Sequence, residues 1–186
     1  MSIYTTPKQT QDNAASFALF LVTAGKHGYV PVDKNLKRIS EGTECVTDRE
    51  DMQEHVDVHL HNFNTDHTIL VDHKGRKFLG PWSDEVKLVE YKNVNGHPGW
   101  IFGKADYFAF QHIDHFLMVR KETLLNITNY LRTFKLITDL NYSRLSENLY
   151  HTYSRTNWGR VDECVYILTQ DIYDNSNPVN RFIWKF

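Results

Sequence analysis

Acidic residues and lysines are spaced along the centre of the chain in a pattern suited to the hydrolysis of a phosphodiester. Asp57 is followed by an acid-x-lysine pair, Asp72 and Lys74, and then by a second pair, Glu90 and Lys92. Two or three carboxylates can hold one or two Mg²⁺ ions, which lower the pKa of a bound water and offset charge on the leaving oxygen. A lysine beside them can stabilise the pentacovalent phosphate or orient the water. The spacing therefore predicts a metal-dependent hydrolytic site.

The elements that must position these side chains follow from the period of the apolar residues. Val56, Val58 and Leu60 alternate with polar neighbours, which is the spacing of a strand. The same reasoning predicts strands at residues 56–61, 68–74, 86–92, 105–111, 116–120, 150–155 and 163–169, and helices at 10–24, 47–54 and 121–134. We expect the first three strands to form an antiparallel meander that brings the acids together near the end of one sheet. We prefer Glu90 and Lys92 as the acid-lysine pair, because they end the third strand of a helix-strand-strand-strand order.

The central region also contains segments that can be compared with a known family. They are Arg49–Gln53, Val71–Gly75, Val89–Val94 and Gly99–Tyr107, the last ending in Ala-Asp-Tyr. Over residues 50–111 the chain resembles the catalytic core of nucleases of the PD-(D/E)XK type, in particular small phage and bacterial members. The resemblance implies an α/β fold with a restriction-endonuclease-like three-layer α/β/α core around a central mixed β-sheet.

The same resemblance implies a nuclease that uses Mg²⁺ or Mn²⁺ and acts on nucleic acid, with DNA as the first expectation. Asp57, Asp72 and Glu90 would bind the metal, and Lys92 would orient the water or the phosphate, with Lys74 as a substitute lysine. Many nucleases of this fold cut both strands as dimers, so a homodimer is consistent with it. The family also contains members that have lost catalysis and only bind. A non-catalytic viral protein that engages host protein or nucleic acid is therefore the alternative.

A histidine-ligated metal site is a third hypothesis. His55, Asp57, His59 and His61 fall on one face of the first predicted strand, where imidazole and carboxylate groups can bind Zn²⁺ or Fe²⁺. No further ligand motif joins them. We therefore favour the ordinary interpretation, a solvated strand face whose partners lie across the sheet.

Other polar side chains can extend a site of this kind. Glu50 or Glu54, on the helix before the first strand, would supply an extra metal ligand. The basic residues expected to contact a nucleic-acid backbone are Lys74, Arg76, Lys77 and Lys104. A short basic run in a loop is equally typical of a solvated turn. The aromatic and basic residues that interleave near the C-terminus, for which we favour packing over base stacking, are Tyr150, Tyr153, Arg155, Trp158 and Arg160.

Length and composition set the remaining expectations. With 186 residues and a 41% hydrophobic fraction, the chain is predicted to form one domain, with a nuclease-like core at about 47–134 and a C-terminal elaboration at about 141–186. A net charge of −2 argues against a globally basic coat but leaves room for a local basic rim. The apolar run Ala14–Ala24 is too short to span a bilayer, no secretion signal precedes it, and Cys45 and Cys164 read as reduced thiols. We therefore expect a cytoplasmic location, which is the host cytoplasm for a viral protein.

Overall fold

The computed structural model describes residues 7–40, 45–46, 54–76, 84–93, 95–137, 146–157 and 160–186. Backbone contacts divide the chain into two compact units. Unit 1 is drawn from Met1–Lys77, Ala105–Met118 and Phe182–Phe186, and unit 2 from Phe78–Lys104 and Val119–Arg181. Each unit is therefore assembled from segments that lie far apart in the sequence. The single domain with a core at about 47–134 stays a prediction.

The described elements are ten strands, three α-helices and one short 3-10 helix. In chain order they are α1 (Pro7–Lys26), β1 (Val30–Val32), β2 (Val58–Asn62), β3 (His67–Lys74), β4 (Val86–Lys92), the 3-10 helix Trp100–Phe102, β5 (Tyr107–Gln111), β6 (His115–Arg120), α2 (Lys121–Leu131), β7 (Thr133–Ile137), β8 (His151–Asn157), β9 (Arg160–Leu168), α3 (Thr169–Asp174) and β10 (Arg181–Lys185). The fold is mixed α/β, with more strand than helix and mostly antiparallel pairing.

Unit 1 is formed by a six-stranded sheet in the order β1-β2-β3-β5-β6-β10, with α1 packed against it. Strands β1, β2 and β3 pair antiparallel, whereas β3 and β5 are parallel, so the sheet is mixed. The helix presents Phe17, Phe20, Leu21 and Ala24 at the i, i+3, i+4 and i+7 spacing of one apolar face. Phe20 and Ala24 are fully buried in one cluster with residues of β2, β3, β5 and β6. Phe108 and Leu117, which alternate with the cluster residues of β5 and β6, are fully buried as well.

Unit 2 is formed by a four-stranded sheet in the order β4-β9-β8-β7, with helices α2 and α3. β9 pairs antiparallel with both β4 and β8, and β7 pairs parallel with β8. Leu124 and Ile127 of α2 are buried. The Tyr91 hydroxyl of β4 donates to Thr128 Oγ1 at 2.7 Å, which ties α2 to the sheet.

Most predicted elements are confirmed, but the predicted meander is wrong. β3 has β2 and β5 as its neighbours, and β4 pairs with β9 in the other sheet. The predicted helix at 121–134 ends at Leu131, and β7 begins at Thr133. The predicted helix at 47–54 lies outside the described residues except for Glu54. Among the helices that are described, none is both long and apolar enough to cross a membrane.

Candidate active site

Asp57 is fastened to the end of β3 by two hydrogen bonds. Its backbone N–H donates to Val71 O at 2.9 Å. Its carboxylate Oδ2 accepts from the backbone N–H of His73 at 2.6 Å. Since His73 lies between Asp72 and Lys74, the Asp57 carboxylate is held at the backbone of the first acid-x-lysine pair. Burial raises the pKa of the Cys45 thiol, and the negative charge of Asp57 raises it further.

Asp72 and Lys74 alternate with His73 along β3, so their side chains leave the same face of the sheet. Lys74 Nζ lies 2.7 Å from Asp72 Oδ2, and the Asp72 side chain is only 4% exposed against 26% for Lys74. No donor in the described part of the chain gives Asp72 Oδ2 a hydrogen bond of normal geometry, although Lys74 is within ion-pair distance. The contact is an ion pair, because the ammonium and the carboxylate carry opposite charges and lie this close together. Lys74 therefore holds this buried oxygen by charge rather than by a well-directed hydrogen bond.

His73 occupies the opposite face of β3 and anchors it to α1. Its ring contacts Phe17 and Phe20, and its Nε2 lies 2.9 Å from Ser16 Oγ. Ser16 Oγ donates its only proton to Gln111 Oε1 at 2.6 Å, so His73 Nε2 must be the donor to Ser16. Burial, with a smaller effect from the Lys74 charge, lowers the His73 pKa to about 3. At neutral pH His73 is thus an uncharged anchor with its proton on Nε2.

Ser16 and Gln111 position β3 through contacts that the sequence did not reveal. Gln111 Oε1 also accepts from the backbone N–H of Arg76 at 3.0 Å, so one amide fixes both α1 and the segment after Lys74. A polar serine inside the predicted apolar side of α1 was an available signal. Nothing comparable marks Gln111, whose partners lie on elements far away in the sequence.

Glu90 and Lys92 lie in a different environment from the pair on β3. They belong to β4 in unit 2, whereas Asp57, Asp72 and Lys74 belong to unit 1. Lys92 Nζ donates to Glu163 Oε1 of β9 at 2.6 Å, and the register of β4 and β9 shifts between Glu90 and Lys92. Asp57, Asp72 and Lys74 are thus brought together by the β2–β3 hairpin in unit 1. The assignment of Glu90 and Lys92 to the site stays a prediction.

The remaining predicted residues lie at scattered positions. Arg76 and Lys104 are exposed, and Glu54 is half-buried. Glu50, Lys77 and Trp158 lie outside the described residues, as do the side chains of Arg155 and Arg160. Burial raises the pKa of Tyr150, and the hydrogen bond that its hydroxyl donates to Asp171 Oδ2 at 2.5 Å raises it further.

The histidines of β2 make internal contacts. His61 is buried, its Nδ1 lies 2.8 Å from Thr68 Oγ1, and its Nε2 lies 3.7 Å from Asp66. Within the described ranges, no group of three or more histidine, cysteine, aspartate or glutamate side chains is arranged to hold a metal ion. The histidine-ligated site therefore gains no support from the residues that the structure describes.

Comparison with known proteins gives no relative. No family model, no curated protein and no solved structure matches this chain.

Two carboxylates are enough for one class of metal ion. Mg²⁺ keeps several waters and is commonly held by one or two carboxylates together with substrate phosphates. Asp72 Oδ2 is a buried oxygen whose ion-pair partner among the described residues is the Lys74 ammonium, 2.7 Å away. The described residues therefore offer two carboxylates, Asp57 and Asp72, beside β3, which is a number of protein ligands that Mg²⁺ can accept.

Proposed function

We propose that the chain is a divalent-metal-dependent nuclease whose site lies at the end of the β2–β3 hairpin. The observation that carries the proposal is the bond from the His73 N–H to the Asp57 carboxylate, 2.6 Å long, at the centre of the Asp72-x-Lys74 motif. It ties an acid before one strand to an acid-x-lysine pair on the next. This contact supports the first of the two acid-x-lysine pairs as the site.

The order of elements supports the same choice. The described part of unit 1 runs α1, β1, β2, β3, which is a helix followed by three antiparallel strands, and Asp72 and Lys74 end the third strand. The pair on β3 therefore has the position after a helix and two strands for which Glu90 and Lys92 were preferred. The mixed sheet and the helix on one of its faces are compatible with a restriction-endonuclease-like three-layer α/β/α core, which we retain as part of the proposal.

The residues of the hairpin divide the work between them. Asp57 and Asp72 would hold Mg²⁺ or Mn²⁺, which when bound supplies Lewis-acid activation of water and charge for the leaving oxygen. Lys74, whose side chain is 26% exposed, can reach a phosphate at the surface and neutralise charge that develops on it. Arg76, exposed directly after β3, would add a backbone contact. We expect DNA as substrate, a homodimer for cutting both strands, and action in the cytoplasm.

Cleavage assays with matched variants test the proposal. Single- and double-stranded DNA are incubated with Mg²⁺, with Mn²⁺ and with EDTA, using the wild-type protein, Asp72→Asn, Glu90→Gln and Asp66→Asn. Asp66 is the control, because its side chain is 93% exposed on the same hairpin. We expect metal-dependent cleavage that falls by about 100-fold or more in Asp72→Asn and is unchanged in Asp66→Asn and Glu90→Gln.

Three results would contradict this assignment. If the wild-type protein cleaves no DNA with either metal ion, the proposed nuclease activity is wrong. If Asp72→Asn keeps full activity, the active site does not lie at the β2–β3 hairpin. Loss of activity in Glu90→Gln alone would return the site to β4.

The closed ion pair favours a second candidate, a non-catalytic binding protein on the same fold. Asp72 already has a cation, since Lys74 Nζ lies 2.7 Å from its Oδ2, and a pair of this kind can be purely structural. Such a protein would retain DNA in a gel-shift assay without cutting it, and EDTA would leave that binding unchanged.

A further inference from the structure

We infer that Lys74 is a built-in competitor for the metal ion, occupying the ligand oxygen of Asp72 until a divalent cation displaces it. This inference rests on the proposed metal site and describes how that site is regulated. Lys74 Nζ is 2.7 Å from Asp72 Oδ2, which is the distance of direct charge contact. The ammonium is therefore where a ligated cation would have to be.

The surroundings of Asp72 make this competition exclusive. Its side chain is 4% exposed, and Phe108, its register partner on β5, is fully buried. A buried carboxylate in such a place needs a counter-charge, because water cannot replace one. An ammonium ion and a divalent cation on the same oxygen would repel each other strongly at low dielectric. Either cation can neutralise Asp72, but both cannot do so at once.

Displacement would also prepare Lys74 for its proposed role. The side chain has a flexible four-carbon stem and is partly exposed, so its ammonium can leave Asp72 for solvent or for a phosphate without movement of β3. The strand itself is held by the His73–Ser16 contact and by Gln111 on the opposite face. Metal binding would thus release the lysine only when the site is loaded.

Metal titration without nucleic acid tests the competition. Mn²⁺ binding to the full chain is measured by calorimetry and by the free-ion resonance signal at pH 8, for wild type, Lys74→Met, Lys74→Arg and Asp72→Asn. We expect Lys74→Met to bind Mn²⁺ about tenfold or more tightly than wild type, since removal of a neighbouring cation shifts carboxylate equilibria by that order. Lys74→Arg retains the charge and should stay close to wild type, and Asp72→Asn should lose binding.

A matched charge variant serves as the control, and an NMR titration of the wild type gives a second measurement. Lys26→Met removes the same charge from the exposed end of α1 in unit 1 and should leave the affinity unchanged. Because Lys74→Met leaves Asp72 without its ion pair, the wild-type protein is also titrated with Mg²⁺ while the side-chain resonances of Lys74 are followed by NMR. On saturation they should move to the positions of an exposed lysine.

The outcomes separate this inference from the nuclease proposal. Equal or weaker Mn²⁺ binding by folded Lys74→Met, or Lys74 resonances that do not respond to Mg²⁺, would overturn the competition even if the wild type cleaves DNA. Tighter binding by Lys74→Met in a protein that never cleaves DNA would support the competition and reject the nuclease. If neither the wild type nor Lys74→Met binds Mn²⁺, the inference is wrong.

Discussion

Single residues on β3 divide the sheet of unit 1 into two faces of different chemistry. Asp72 and Lys74 form an ion pair on one face, and His73 packs among phenylalanines on the other. The His73 pKa is lowered to about 3, chiefly because burial desolvates the charged form of its ring. An imidazole in this position must stay neutral for the strand to remain against α1. Its protonation is therefore coupled to the stability of unit 1.

The sign of that coupling follows from the direction of the pKa shift. Between pH 6.5 and about 3 the unfolded chain binds a proton at His73 that the folded chain does not, so stability falls as the pH falls through this range. The loss is about 1.4 kcal/mol per pH unit, or ~2 kcal/mol between pH 6.5 and pH 5. We expect His73→Gln, which keeps a donor for Ser16, to lack this part of the pH dependence. Urea unfolding of both proteins at pH 7.5 and pH 5 measures the difference.

An exposed histidine provides the control for this experiment. His97 lies in an exposed turn, so His97→Gln should show the pH dependence of the wild type. Equal losses of stability in wild type and His73→Gln would mean that His73 is solvated in the folded protein, and that α1 is held to β3 in another way.

At the scale of elements, the end of β4 depends on a close approach between two backbones. Gly99 donates its N–H to Tyr91 O at 2.9 Å, and a Cβ added at Gly99 would lie 2.3 Å from Glu90 O. Only glycine fits there, because a real Cβ atom cannot approach a carbonyl oxygen so closely. The turn after β4 is thus fixed by the absence of a side chain.

We expect Gly99→Ala to destabilise the protein by about 1–3 kcal/mol, as overpacking against backbone does. The matched control is Gly25→Ala near the end of α1, where an added Cβ meets nothing within 4 Å. That substitution should be neutral or stabilise the helix by up to about 1 kcal/mol. Thermal unfolding of the two variants gives the comparison. A Gly99→Ala protein as stable as the wild type would show that the turn after β4 can move away.

The elements themselves could be read from the sequence, but their partners could not. Alternation along β2, β3 and β4 identified three strands, because a half-covered strand shows period two wherever it pairs. It carries no information about which strand lies beside it. β4 pairs with β9, although β5, β6, α2, β7 and β8 lie between them in the sequence. The meander failed for that reason.

The proximity of the residues proposed for the site follows from the sequence only in part. Acid-x-lysine spacing predicts that Asp72 and Lys74 share one strand face, and a hairpin needs few residues to bring Asp57 close to them. The preference for Glu90 and Lys92 assumed the wrong strand neighbour. Ser16 and Gln111 act through tertiary contacts to β3, and a single sequence does not encode such contacts locally.

At the scale of the whole molecule, the two units are interleaved along the chain. The connection from β3 to its parallel neighbour β5 contains β4 of unit 2, and the last strand, β10, returns to unit 1. Unit 1 therefore needs both ends of the described chain. Its core joins Phe20 and Ala24 of α1 to Trp184 of β10 in one cluster. A change near the C-terminus should consequently weaken an assembly whose proposed chemistry lies near residue 72.

Trp184→Ala tests this long-range dependence. Trp184 is 4% exposed and its ring stacks at 5.9 Å from Phe20 and 5.3 Å from His27, so truncation leaves a large cavity beside α1. We expect a loss of about 3–5 kcal/mol in the free energy of unfolding. Hydrogen exchange should show faster exchange of the β2 and β3 amides. Lys185→Ala, at the exposed neighbouring position of β10, should change neither quantity. A loss below about 1 kcal/mol in the free energy of unfolding would mean that β10 contributes little to the core of unit 1, because truncation of a well-packed core tryptophan costs more than this.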